Sequence, residues 1–435
     1  MTRQWIMKIA LVLCALMQLV CSDNVGTGKA ELSLTVEDVS CTEVWLQIST
    51  RNSIHSRIVL TRDTVTLDTL TLTTNEMTLV DDSLLPSHRY VYTALLLEGG
   101  KSAQTIAETM DTTSHDFSWQ IYTLGDGTGS SYLYDVAIIN DTLAYAVGEI
   151  YQDYTKDYQI YNAAKWNGKT WELMRVYFPT VCGSPSLTAY PAKAIFSFDD
   201  EIWISSSGDK IAILKNGIQV DKFCLPSEVS MSINKLWGSS SNDLYAVGNN
   251  GLIAHYDGRS WGKIESGTEV DLYDIYGSPD GREVWTCGWN WEGGGIILRK
   301  VGNGMQKVWD KKTAPPTSVY FGKLNTVWMA DSKEVILSGT GYVFRQSLLV
   351  KDLVRIEPVE LGHFAYSLRG SARNDITLAG DYAMVWHYNG VSWRYYYQLG
   401  NISDRLYSIS QKGGNVIVVG ERLGAGALII SGRKN

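Results

Sequence analysis

The chain has 435 residues, room for two or three domains. At 45% hydrophobic and 19% charged it supports packed cores and excludes a disordered protein. A net charge of −8 excludes the basic footprint of a nucleic-acid binder, and no polybasic run offers itself to anionic lipid. Forty glycines, 25 tyrosines and 15 tryptophans point to many strands and many turns.

At the N-terminus, Arg3 and Lys8 precede IALVLCALMQLV, a short stretch that is apolar except for Gln18. A charged start and an apolar run too short to span a bilayer predict a signal peptide over residues 1–21, with a linker over 22–30. Cys21 ends the run. In that position it resembles the acylated cysteine of bacterial lipoproteins, although Gln18 and Val20 stand where that family prefers Leu and a small residue. The resemblance implies a lipid anchor at Cys21 and an outer-membrane, periplasmic or cell-surface location. Cleavage after Ser22 is the competing outcome and gives a secreted soluble protein. Export permits disulfides, and Cys41, Cys182, Cys224 and Cys287 follow the signal. Cys182 and Cys224 fall near the ends of strands at one rim, so a bridge between them competes with two buried thiols. Neither a metal site nor a cofactor is expected, since the cysteines lack CxxC spacing and the six histidines lack HxxxH spacing.

Residues 31–113 read as seven short strands. ELSLTVED, TEVWLQIS and RIVLTR alternate apolar and polar residues, as half-buried strands do. Leu84, Pro86, Tyr90 and Tyr92 fit L-x-P-x-x-x-Y-x-Y, where a tyrosine near the start of the sixth strand bonds back to upstream backbone. With Trp45 on the second strand, this resembles a fibronectin type III sandwich, and the resemblance implies a spacer.

From 114 to 435 an apolar strand ending in glycine recurs, at Gly148, Gly248, Gly288, Gly339, Gly380 and Gly420, and AIFSFDDEIWISSS supplies a degenerate seventh copy. Another strand precedes each copy, and most are followed by a third strand and a Trp-led fourth. Four strands every ~40–50 residues is the period of propeller blades, which bury their faces only by packing radially. After Gly420 the chain supplies a third strand and no fourth, while FSWQIYTLG at 117–125 matches VSWRYYYQLG at 391–400. The expected fold is therefore all-β, a sandwich followed by a seven-bladed propeller that an N-terminal strand closes. The repeat resembles a group of exported bacterial propellers with W-G-S-S-x-N-D-x-Y-A-V-G and H-Y-D-G-x-x-W blades, distantly like photosystem-assembly and BNR/sialidase-like propellers. The sialidase Asp-box itself is not reproduced.

Short turns such as SSSND, DGRS and NGVS share one face; longer excursions share the other. The long-loop face holds Tyr151, Tyr154, Tyr158, Trp289 and Trp291, aromatics suited to a sugar ring or a protein surface. Inner-strand starts place Asp135, Lys193, Lys235, Asp274, Thr326, Ser367 and Ser408 at equivalent positions near that mouth. This ring is read either as a ligand or cation site or as a solvated rim of offsetting charges; Glu149, Asp381 and Glu421 follow the recurrent glycines beside it. His255 and His387 share one repeat position and are read as structural. Two functions follow. One is a non-enzymatic binding or scaffold module for a glycan or protein. The other is a carbohydrate-active enzyme using Asp135, Glu149, Asp153 or Asp274, which would need paired carboxylates ~5–9.5 Å apart.

Overall fold

The computed structural model describes residues 31–51, 55–127, 130–152, 160–292, 294–320, 322–350 and 353–435. The expected signal peptide, Cys21 and the loop residues Asp153, Tyr154 and Tyr158 lie outside them. By contacts the described chain forms two compact units. One takes residues up to Thr35 with Gln47–Met77 and Val91–Thr105; the other takes Val36–Leu46, Thr78–Tyr90 and Ile106–Asn435.

Seven strands precede residue 113, in two sheets. Glu31–Val39, Val44–Arg51 and Glu76–Asp81 pair in that order; Val65–Thr71, Arg57–Arg62, Arg89–Leu96 and Ser102–Glu108 form the other. Tyr90 is buried, and its hydroxyl accepts the Leu85 backbone N–H at 2.9 Å, the bond read from the Leu-Pro-Tyr spacing.

Seven further antiparallel four-stranded sheets lie among the described residues from Phe117 onward. Sheets 1 to 6 begin with Tyr132–Asn140, Ala192–Phe198, Ile233–Ser240, Leu272–Gly277, Leu324–Trp328 and Ala365–Ala372. Sheet 7 orders as Asp404–Lys412, Asn415–Arg422, Gly426–Lys434 and then Phe117–Leu124. Its outer ladder sets Leu428 opposite Thr123 and Gly432 opposite Trp119, so a strand from before sheet 1 completes the last sheet. The first strands touch in chain order, and that of sheet 7 touches that of sheet 1, closing a circuit.

Strand periodicity explains the packing between sheets. In Asp243–Gly248, Leu244 and Ala246 point toward sheet 2, whereas Tyr245 and Val247 point toward sheet 4. One apolar cluster fills each of the seven gaps between neighbouring sheets, the gap between sheets 7 and 1 included. Strands buried on both faces therefore read as unbroken apolar runs.

The recurrent glycine has a steric cause. A Cβ on Gly288 would stand 1.9 Å from the Asp271 carbonyl oxygen, and one on Gly420 1.8 Å from that of Arg405. Opposite these glycines the first strand bulges, between Leu272 and Asp274 and between Leu406 and Ser408. Each bulge inserts one extra residue and turns it toward the axis of the circuit. In the degenerate sheet 2, Ser206 takes the place of the glycine, opposite Ala192.

Candidate functional site

Because every first strand bulges at the same level, the circuit presents two stacked rings of side chains. The bulge residues form the upper ring: Tyr134, Lys193, Asn234, Tyr273, Asn325, Tyr366 and Tyr407. All seven line one cavity of about 290 Å³. The next residues form the lower ring: Asp135, Ala194, Lys235, Asp274, Thr326, Ser367 and Ser408. This corrects the sequence alignment. Lys193 belongs one level above Asp135 and Lys235, and Ala194 stands where a polar residue was expected.

The lower ring is an interlock and not a solvated rim. Asp135 is 2% exposed, and its carboxylate accepts from Lys235 Nζ at 2.6 Å, Ser408 Oγ at 2.6 Å, and the backbone N–H groups of Val136 and Ile195, each at 3.0 Å. Asp274 accepts both guanidinium nitrogens of Arg369, at 2.7 and 2.9 Å, Thr326 Oγ1 at 2.8 Å and the Val327 N–H at 3.0 Å. A rule recurs around the ring. The side chain of Asp135, Asp274, Thr326 or Ser367 accepts the N–H one residue beyond the equivalent position in the next sheet. A second cavity, of about 190 Å³, lies beyond this level, and Lys235 and Arg369 line both cavities. The two aspartates and their cations thus partition the axial space. Their hydrogen-bonding capacity is spent on one another.

The upper ring is different in kind. Aromatic contacts run from Tyr273 through Trp289, Phe364, Tyr366 and Tyr407 to Tyr134, with ring centroids 5.2–6.1 Å apart. The phenols are tied back at the rim. Tyr407 donates to Glu421 at 2.5 Å, Tyr132 donates to Glu149 at 2.7 Å, and Tyr151 also donates to Glu149. Burial, helped by Asp381, pushes the Tyr366 phenol up to about 12, so it stays a donor. The arc is open at sheets 2 and 3, where Lys193 and Asn234 stand. Lys193 Nζ lies 3.7 Å from the Tyr134 ring centroid, and among the described residues no carboxylate is within ion-pair distance of it. Burial, reinforced by Lys235 and opposed by Asp135, lowers its pKa to about 8.

Of the residues singled out in the sequence, Asp135, Lys193, Lys235, Asp274, Ser367, Ser408 and Trp289 converge on this cavity. Trp289 belongs to the strand Val284–Asn290, not to a loop; the ladder continues to Asn290 opposite Gly294. Its indole donates to Asn325 at 3.1 Å. Trp291 at the tip is 84% exposed, with Lys323 Nζ 3.3 Å from its ring centroid. Cys182 and Cys224 form a disulfide that ties the sheet 1–2 connection to the last strand of sheet 2. Sequence reasoning missed Tyr134, Tyr273, Tyr366 and Tyr407 although a signal was present. Each follows Leu or Ala and precedes Asp or Ser at the start of an inner strand.

The repeat histidines hold their sheets together. His255 Nε2 meets Asp243 at 2.7 Å and His387 Nε2 meets Asp375 at 2.8 Å, each pinning the third strand to the start of the second. Glu283–Arg299 and Glu334–Arg345 occupy the same place in sheets 4 and 5.

A closed circuit of radially packed four-stranded sheets around an axial cavity is the architecture of a β-propeller. Solved structures agree with that class. YCF48 bound to D1 peptide superposes with a TM-score of 0.55 at 13% identity, covering 75% of this chain and 100% of that one. YCF48 from Cyanidioschyzon merolae gives 0.52 at 13% identity, covering 72% and 98%. The WD40 β-propeller domain of Doa1 gives 0.53 at 12% identity, covering 74% and 98%. At such identities the likeness is one of fold. No family model matches the chain, and no curated protein matches it.

Proposed function

We propose that this is an exported, lipid-anchored envelope protein whose seven-bladed propeller is a non-enzymatic binding module for a protein segment. In this reading a fibronectin type III-like sandwich over residues 31–113 serves as the spacer, and Cys21 carries the lipid. The carrying observation is the division of labour between the two rings. Below, every charge of the ring is paired, Asp135 with Lys235 and Asp274 with Arg369; above, an aromatic-lined cavity leaves a cation and two amides on its wall. Aromatic faces beside a few polar groups left free to orient a ligand are what a binding pocket requires. A propeller of similar fold holding D1 peptide supports a peptide as the occupant. The enzyme reading loses ground because Asp135 and Asp274, its buried carboxylates, are each bonded on both oxygens to neighbouring sheets. A glycan remains the second reading, since the arc from Trp289 to Tyr407 would suit a sugar face.

The test is a screen of the mature chain against tiled peptide and glycan arrays, repeated with Tyr407→Ala and Trp289→Ala. Peptide spots that fade by roughly tenfold in both variants are expected, as for hot-spot aromatics. Spots unchanged in both would place binding elsewhere, and glycan-only signal would favour the second reading.

A further inference from the structure

We infer that the upper-ring cavity reads an acidic side chain, Asp or Glu, of a bound protein segment, and that Lys193 is the residue that recognises it. The inference rests on the binding reading above and gives that site its ligand chemistry.

Three cations lie at the axis. Lys235 is satisfied by Asp135 at 2.6 Å, and Arg369 by a two-pronged bond to Asp274. Among the described residues Lys193 alone of the three has no carboxylate within ion-pair distance, only the face of Tyr134. A cation–π contact does not replace the hydration that an ammonium loses on entering such a space. Asp135 acts on it only through space, because its oxygens already accept four donors. The cavity therefore lacks one negative charge at one defined place, the gap in the aromatic arc at sheets 2 and 3.

Size and surroundings narrow the group that would supply that charge. A space of about 290 Å³ sits at the small end of ligand pockets and fits a single side chain better than an extended molecule. Across the ring, Asn325 spends its carbonyl on the Trp289 indole, which leaves its amide N–H groups as donors. Asn234 spends an N–H on the Leu272 carbonyl. Beside cavity-lining Trp289, half-buried Lys323 lies over the rings of both Trp289 and exposed Trp291, which offers a further surface to the backbone of a longer chain. The lowered Lys193 pKa agrees, since at pH 7 the group is still mostly charged and would regain stability by pairing.

The experiment pairs each capped dodecapeptide of an array with a copy in which Asp is replaced by Asn and Glu by Gln. Binding to the full mature chain is measured by calorimetry for the pairs that respond. We expect the neutral copies to bind at least about tenfold more weakly, and Lys193→Met to erase that difference while Lys193→Arg keeps most of it. A wild-type readout needs no variant: affinity for the acidic peptides should fall between pH 7 and pH 9.5, and affinity for the neutral copies should not. Neutral copies that bind as well as acidic ones, or a flat pH profile, would overturn the role of Lys193 while leaving peptide binding intact. Silence from every peptide, with binding of uronate oligosaccharides that depends on Lys193, would overturn the peptide assignment itself.

Discussion

The ammonium of Lys193 lies against Tyr134, and burial costs it more than the through-space attraction of Asp135 returns, which makes it a stability liability. The sign of the pH effect follows. Between about pH 8 and the ordinary lysine range, the unfolded chain binds a proton that the native state does not, so native stability rises with pH there. Lys193→Met removes both the liability and the slope. At pH 7 the variant should be more stable than the parent by about 1–3 kcal/mol, allowing for partial solvent screening, and the gap should close above about pH 10. Urea midpoints at pH 7, 8.5 and 10 check this; a variant less stable at pH 7 would mean that the ammonium is well solvated.

Elements were the most legible level of the sequence. Gly-ended strands, Asx turns and Trp-led outer strands recur because each solves the same steric problem in most of the sheets. Asn167, Asp257 and Asn389 all accept two backbone N–H groups within their turns. The closing strand was readable because Trp119 repeats Trp393. The ring register was not readable at sheet 2, where Ser206 replaces the glycine that marks the bulge. Without that landmark AKAIFSF can be counted one residue out, which placed Lys193 among the buried interlocking residues. The aromatic arc was hidden for another reason: its members come from four sheets, and no spacing along the chain encodes which of them meet. One contact near the closing strand carries a prediction. His387 gives its Nε2 proton to Asp375, so its Nδ1 accepts from His115 Nδ1–H at 2.8 Å, with Phe117 packed on the same imidazole. Asp375 also holds Lys434 at 2.7 Å, and Arg394 and Ser392 stand near His115. Burial, with repulsion from His387, Arg394 and Lys434, lowers His115 to about 4. Below the usual histidine range the unfolded chain takes up a proton first, so stability should fall between about pH 6.5 and pH 4. His115→Gln should flatten that fall, as read from denaturant midpoints at pH 7 and 4.5; an unchanged slope would exclude this histidine as its source.

At the scale of the whole molecule, two carboxylates fasten the circuit. Asp135 draws together sheets 1, 2, 3 and 7, and Asp274 draws together sheets 4, 5 and 6. Asp274→Ala would strand a buried guanidinium and should cost about 3–5 kcal/mol, whereas pairing it with Arg369→Met should recover part of the loss. Equilibrium unfolding of the single and double variants decides the point; equal losses would show that Arg369 finds another partner. The last sheet bears on how the chain is made. Its outermost strand, residues 117–124, is among the first parts of this region to leave the ribosome, and its partner, 426–434, is among the last. Some three hundred residues must be synthesised between them, so this seam cannot form during elongation. Until residue 426 has been made the circuit stays unsealed, and a message cut short before that point would yield a toroid with one raw edge for quality-control proteases to find.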